Sequence, residues 1–254
     1  FMPPAIWYPI QLHQIIDESA NTKRFLFKIE TPDIFDFQAG QFLTCDLPIG
    51  EKRAQRWRSY SIANRNTHQN EIEFCISHKE GGLASDYFFN KIKIADTFKV
   101  KGPEGSFILP ENKDLNLFLI CTGTGLAPFR SMLQEIEFTK NYFRSVHIIY
   151  GTRNIKDLIY TDDLINWLEN IPEFYCHICL SRELDPTKIK HDKLNFHSGY
   201  VHEVYKQILK EKSYPTESMQ FMICGWSAMI DQAVVTLFSE LNYSREQIRF
   251  ELYG

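Results

Sequence analysis

The stretch LFLICTGTGLAPFRSMLQEI, residues 117–136, decides how the second half of the chain reads. Its first five residues, ending at Cys121, form an apolar strand; Gly123 and Gly125 allow a sharp turn, and the pattern that follows is helical. A strand that ends in glycines and opens a helix offers unpaired N–H groups and a positive dipole end to a phosphate. Pro128 suits the first helical turn, where its missing N–H costs nothing. The dinucleotide fingerprint G-x-G-x-x-G would place glycine where Pro128 stands, and an acid about 20 positions further on, where NYFRSVHII has none. Taken alone, the loop fits either a nucleotide or a plain strand–turn–helix.

Working outward from it, strands and helices alternate. LFLIC is followed by a helix near 127–140, strand VHIIYG, a helix near 161–169, strand EFYCHICLS, a helix near 200–211, strand MQFMICG, a helix near 227–241 and a last strand, QIRFELY. That grammar predicts β-α-β units and an α/β domain with a parallel sheet. In the helix after Gly225, Ile230, Val234, Leu237, Phe238 and Leu241 fall at three- and four-residue spacing, predicting one core-facing stripe.

Upstream the period changes to two. In RFLFKIE, Phe25, Phe27 and Ile29 share a side; in EIEFCISHK, Ile72, Phe74 and Ile76 face away from Glu71, Glu73 and Cys75. YPIQLHQII, QFLTCDLPI, RSYSIAN and TFKVKG complete about six short strands between Gly- and Pro-rich turns, predicting a small antiparallel β-barrel. The expected organisation is two domains, 1–112 and 113–254.

Composition narrows the partners. The 254 residues are 44% hydrophobic, enough for packed cores, and 28 basic against 32 acidic side chains give a net charge of −4 without long blocks, which argues against non-specific nucleic-acid binding. Six cysteines, at 45, 75, 121, 176, 179 and 224, lie mostly in strand-like runs and read as reduced thiols. Cys176 and Cys179 have C-x-x-C spacing but no second pair, so no metal site is expected. No run nears the ~20 apolar residues of a membrane span. The start FMPPAIWYPI lacks a charged n-region, so neither a signal peptide nor an integral membrane segment is expected, and the expected location is cytoplasmic.

Two further stretches carry chemistry. In RWRSYSIAN, residues 56–64, alternation puts Arg58 and Tyr60 on one side of a strand and Ser59 and Ser61 on the other; an arginine there clamps a phosphate, or merely edges an exposed strand. In KEGGLASDYF, residues 79–88, two glycines precede a short helix expected near Ser85, either an anion site or a capped turn.

The order RSYS, GGLAS, GPEGSF, CTGTGLAPF, YGTRN, SRE, CGWSAM and FELYG, spread over about residues 8–254, resembles the ferredoxin-NADP reductase family of flavoenzymes. The resemblance implies a flavin-binding barrel and a nicotinamide-nucleotide-binding α/β domain. Arg58 would pair with the flavin phosphate, Tyr60 pack on the flavin, with Ser59 on the same strand, and Ser61 approach its N5 edge. Gly82, Leu83, Ala84 and Ser85 would hold the pyrophosphate of FAD, preferred here over FMN. Thr122, Gly123, Thr124, Gly125 and Pro128 would cradle the nicotinamide nucleotide, and Ser181 and Arg182 contact its 2′-phosphate, which favours NADPH over NADH. Arg153 and Lys190 would add positive charge, and Cys224 and Gly225 would flank the nicotinamide. Glu251, with Ser61 and Cys224, would tune the reacting geometry and serve as a proton relay, while Tyr253, followed here by Gly254, would cover the flavin.

The activity so implied is hydride transfer between NADPH and FAD, then single electrons to an acceptor. No C-x4-C-x2-C iron–sulfur spacing occurs, so the acceptor is expected to be a separate protein such as ferredoxin or flavodoxin. Lysines 91, 93, 99 and 101 with Lys52, Arg53 and Arg56 would dock it, or are solvated strand edges. The alternatives are an NADH-dependent reductase component of an oxygenase system, and a non-catalytic binding module that keeps the fold.

Overall fold

The computed structural model describes residues 6–31, 33–183, 185, 189 and 193–253. The chain divides into two compact units, Phe1–Leu109 with Ala127–Glu135, and Pro110–Leu126 with Ile136–Gly254.

The first unit is an antiparallel sheet of β1 (Tyr8–Ser19), β2 (Thr22–Ile29), β3 (Phe42–Asp46), β4 (Trp57–Ser61), β5 (Glu71–Ser77) and β6 (Thr97–Glu104) in the order β4-β3-β6-β1-β2-β5. It curls until its end strands meet: Ala63 N–H donates to the Glu73 carbonyl, 2.9 Å, and the rings of Tyr60 and Phe74 lie 5.5 Å apart. The period-two reading holds for the interior, since Phe25, Phe27, Ile29, Ile72, Phe74 and Ile76 are all buried. It fails for the far side of β5, where Glu73 and Cys75 are buried as well. Arg24 binds the Glu73 carboxylate through two nitrogens at 2.8 and 2.9 Å, and Arg130 Nη1 lies 3.2 Å from it. A buried carboxylate persists only with such partners.

Two helices of this unit are short. α1 (Arg53–Arg56) precedes β4. α2 (Leu83–Asp86), capped by Gly82, begins two residues before the expected Ser85 and runs into a π turn at Tyr87–Lys91.

The second unit is a six-stranded sheet, parallel throughout, of β7 (Asn116–Thr122), β8 (Ser145–Thr152), β9 (Phe174–Leu180), β10 (Asn195–Ser198), β11 (Met219–Trp226) and β12 (Ile248–Tyr253) in the order β10-β9-β8-β7-β11-β12. The helix after β7, α3 (Leu126–Thr139), is shared, its residues Ala127–Glu135 counting with the first unit; α4 (Thr161–Asn170), α5 (Val201–Lys212) and α6 (Ser227–Val235) belong to the second. The expected stripe on the last helix breaks at Phe238, which is exposed while Ile230 and Leu237 are buried. A π turn over Thr236–Glu240 takes up the end of that helix, and its wider spacing throws later positions out of phase with a 3.6-residue pattern.

Candidate functional site

In the second unit the chain leaves β7 through β8, β9 and β10 to one side of the sheet, while β11 and β12 lie on the other side of β7. The strand order therefore reverses between β7 and β11, and in open α/β sheets ligands bind beyond the carboxyl ends of strands at such a point. Those ends are Thr122 and Trp226, and the two backbones fit tightly there. A Cβ on Gly125 would sit 2.7 Å from the Cys224 carbonyl carbon, and one on Gly225, where φ is +138°, would sit 3.1 Å from both Thr122 N and O. Thr122 Oγ1 accepts a hydrogen bond from Trp226 N–H at 3.4 Å.

Gly123, at φ +54°, has open space where a Cβ would point, and a 3₁₀ turn over Gly123–Gly125 leads into α3, with Pro128 buried in its first turn. These features fit a phosphate: a helix N-terminus, glycine backbone that a ligand can approach, and Thr124 half-exposed beside it.

Cys224 and Glu251 are register partners on β11 and β12, as are Trp226 and Tyr253. Burial raises the Cys224 thiol well above its ordinary value, and the neighbouring Glu251 adds to this; hydrogen bonds from Tyr253 and the Gly225 backbone oppose it. The thiol is therefore protonated and is no nucleophile. Tyr253 is half-buried, with its side chain directed to Cys224, and Gly254 lies outside the described residues.

At the ends of β8 and β9 the backbones are joined, Ser181 N to Thr152 O at 3.0 Å and Arg182 N to Arg153 O at 2.8 Å. The structure thus brings Arg153, Ser181 and Arg182 together. Arg153 Nε pairs with Asp157 at 3.2 Å, so part of its charge is spent locally, while Arg182 is exposed. Lys190 lies outside the described residues.

In the first unit, Arg58, Ser59, Tyr60 and Ser61 occupy β4. Arg58 Nη1 donates to the carbonyls of Ala54 and Trp57 at 2.9 and 2.7 Å, so α1 steadies the guanidinium from one end. Tyr60 is half-buried, set against Phe74 and edge-on to Phe88, and burial raises its phenol. Ser61 is buried, whereas Ser59 is exposed, its hydroxyl 3.2 Å from Thr44 Oγ1.

The turn before α2 has Gly81 at φ +71° with open space about it. The first hydrogen bond into α2 is Asp86 N to Gly82 O, which leaves the N–H groups of Leu83, Ala84 and Ser85 at the head of the helix. The Ser85 side chain is committed to the turn itself, donating to Lys79 O and Gly82 O and accepting from Lys79 N. An arginine, a flat aromatic and a run of free N–H groups suit a phosphate-bearing ring cofactor, with Ser85 contributing backbone rather than hydroxyl.

Of the expected docking cations, Arg56 pairs with Asp46, Lys91 with Asp86 and Lys101 with Glu104, each at 2.7 Å. Arg53 stacks 3.7 Å over the Trp57 ring. Lys52, Lys93 and Lys99 are exposed. Among the described residues no His, Cys, Asp and Glu group could hold a metal, and no helix is long and apolar enough to cross a membrane.

Residues 9–108 match the oxidoreductase FAD-binding domain and residues 119–234 the oxidoreductase NAD-binding domain. The chain thus carries an oxidoreductase FAD-binding domain followed by an oxidoreductase NAD-binding domain, in the two-domain fold of ferredoxin-NADP reductase-like flavoproteins. The anthranilate 1,2-dioxygenase electron transfer component of Acinetobacter baylyi is 32% identical over 206 residues, 81% of this chain and 54% of that protein. The reductase component of propane 2-monooxygenase from Rhodococcus jostii is 28% identical over 206 residues, 81% of this chain and 53% of that protein. The chain thus spans about half the length of these relatives.

Among solved structures, the cytochrome P450 reductase GcoB of Amycolatopsis shares the fold at a TM-score of 0.83 and 24% identity, over 98% of this chain and 70% of that one. A ferredoxin NADP+ reductase from Neisseria gonorrhoeae with bound FAD and NADP shares it at 0.77 and 24%, over 97% of this chain and 98% of that one.

Proposed function

We propose that the chain is an NADPH-dependent flavin reductase that takes hydride onto FAD and passes electrons singly to a separate acceptor protein. The flavin domain would extend to about residue 112 and the nucleotide domain over 113–254. The observation that carries the reading is the presence, in one chain, of two sets of groups suited to phosphate: Arg58 on β4 and the head of α2 in the first unit, and the Gly123–Gly125 turn that leads into α3.

FAD, when bound, supplies the two-electron to one-electron conversion; the protein supplies placement and electrostatics. Arg58 would neutralise the flavin phosphate while the carbonyls of Ala54 and Trp57 hold its guanidinium in place, and Tyr60 would offer a ring face backed by Phe74. Thr122, Gly123, Gly125 and the first turn of α3 would seat the nucleotide pyrophosphate. Gly225 would keep the end of β11 free of a side chain beside Thr122. Cys224, held as a neutral thiol, would pack without attacking, leaving Glu251 as the group able to exchange a proton near it.

Arg182, exposed beside Arg153, favours the 2′-phosphate of NADPH. A second reading rests on the relatives, a monooxygenase reductase component and a dioxygenase electron transfer component. Arg153 is tied to Asp157, which weakens the case for a strong 2′-phosphate site and leaves room for NADH and an oxygenase-type acceptor. Steady-state reduction of a soluble one-electron acceptor by the FAD-loaded chain, with each nucleotide in turn, separates the two. A higher kcat/KM for NADPH supports the first reading and a large NADH preference overturns it. Protein that neither holds nor regains FAD would instead be a non-catalytic module.

A further inference from the structure

Of the four tryptophans, Trp167 is buried, Trp7 and Trp57 are half-buried with their rings tilted against each other at 4.9 Å, and Trp226 is 68% exposed. Among the described residues its indole has no ring partner and no hydrogen-bond partner; only its backbone N–H is engaged, by Thr122. An indole left in water forgoes the burial of a large apolar surface, and one fixed at a functional strand end invites a ligand explanation.

Its position is as defined as its exposure. Trp226 is the last residue of β11, on the β11 side of the strand-order reversal, directly after Gly225. Gly225 holds φ at +138° against Thr122, so the backbone entering Trp226 has little freedom. The Thr122 hydroxyl pins its N–H, and α6 begins at Ser227, which stops the chain from swinging away. An uncovered aromatic side chain therefore stands on a constrained backbone at the strand end, bonded to Thr122, the residue that leads into the glycine turn.

Resting on the nucleotide-binding reading above, we propose that Trp226 packs its indole against the nicotinamide half of the bound nucleotide and is a positioning residue for that half. The phosphate-binding backbone at Gly123–Gly125 recognises charge but cannot fix the plane of a ring; a neighbouring indole can, because base-on-aromatic contact is sequence-tolerant and face-selective. Trp226 and Tyr253 are register partners at the ends of β11 and β12, so the strand end carries two aromatic residues, of which only Trp226 is unengaged.

The test compares FAD-loaded wild type with Trp226→Ala and Trp226→Phe by calorimetry. The ligands are NADP+ and NAD+, and for each the matching ADP-ribose fragment, which keeps adenosine and pyrophosphate but lacks nicotinamide. The proposal expects Trp226→Ala to weaken the better-bound dinucleotide about tenfold, to leave its fragment unchanged, and Trp226→Phe to recover most of the loss. Acrylamide quenching of tryptophan fluorescence in wild type should fall on adding the dinucleotide and not on adding the fragment.

Equal weakening of dinucleotide and fragment would place the indole on the adenosine side and overturn the proposal. So would unchanged binding of both, including the case where only reduction of a protein acceptor suffers. Wild-type protein that binds neither dinucleotide would overturn the functional reading itself, a result distinguishable because it appears before any substitution is made.

Discussion

Lowering the pH from 7 to 5 should weaken the α/β domain through two neighbouring histidines, His147, which is buried, and His177, which is half-buried. His147 on β8 is stacked 4.6 Å from Phe118 and 4.7 Å from Tyr175, and shares a 2.9 Å hydrogen bond with the Tyr214 hydroxyl. His177 on β9 lies 5.8 Å from His147 and shares a 3.3 Å hydrogen bond with His197 on β10. His147 Nδ1 and His177 Nε2 are buried without hydrogen-bond partners. Burial, then the neighbouring His177 and Lys212, pushes His147 down to about 3; burial, then His197 and Lys212, pushes His177 down to about 4. Both stay neutral in the fold, while in the unfolded chain they take up protons below about 6.5. The unfolded state binds more protons at pH 5, so stability present above pH 6.5 is lost as the pH falls towards the folded values.

Each histidine should thereby withdraw about 2 kcal/mol between pH 7 and pH 5. His147→Phe keeps a flat ring between Phe118 and Tyr175 but cannot titrate, so its loss of stability over that interval should be about 2 kcal/mol smaller than that of wild type. Urea denaturation at both pH values, followed by a probe of the C-terminal domain, gives the difference directly. Identical pH dependence in the two proteins would refute the reasoning, because carboxylate effects are common to both and cancel.

Glu73→Gln should destabilise the first unit by about 3 kcal/mol, since it leaves the guanidiniums of Arg24 and Arg130 without their shared carboxylate in a buried setting; a denaturation change under 0.5 kcal/mol would contradict this. Arg182→Ala should raise KM for NADPH about tenfold with little effect on KM for NADH, the loss of one charged hydrogen bond to a 2′-phosphate. Equal changes for both nucleotides in initial-rate kinetics would remove Arg182 from that contact.

Much of the architecture is legible in the sequence because the hydrophobic period switches near residue 112 from two to the strand–helix alternation. LFLIC, VHIIYG and MQFMICG are buried on both faces of a parallel sheet and read as continuous apolar runs, as such strands must. Glu73 was not legible: alternation assigns it to an outer face, and the arginine that covers that face stands 57 positions away on α3. Phe238 misled because a π turn changes the helical period locally without any glycine or proline to mark it. β10 is not legible because NFHS is four residues long, too short for a periodic signal.

For the candidate site, the glycine turns were legible, since φ of +138° at Gly225 lies where other side chains are strained and φ of +54° at Gly123 favours glycine. That Asp157 ties down Arg153 follows from how the turn after β8 folds back, which residue type alone does not disclose. Trp226 carries no sequence signal, because only the fold reveals that its ring is uncovered at the reversal of strand order.

Anaerobic titration of the FAD-loaded protein with NADPH, followed through the absorption of oxidised flavin, tests the central claim most directly. That band should be lost with about one equivalent of NADPH per flavin and return when a one-electron acceptor is added. A flavin that stays bound and oxidised under excess NADPH and NADH alike would contradict it.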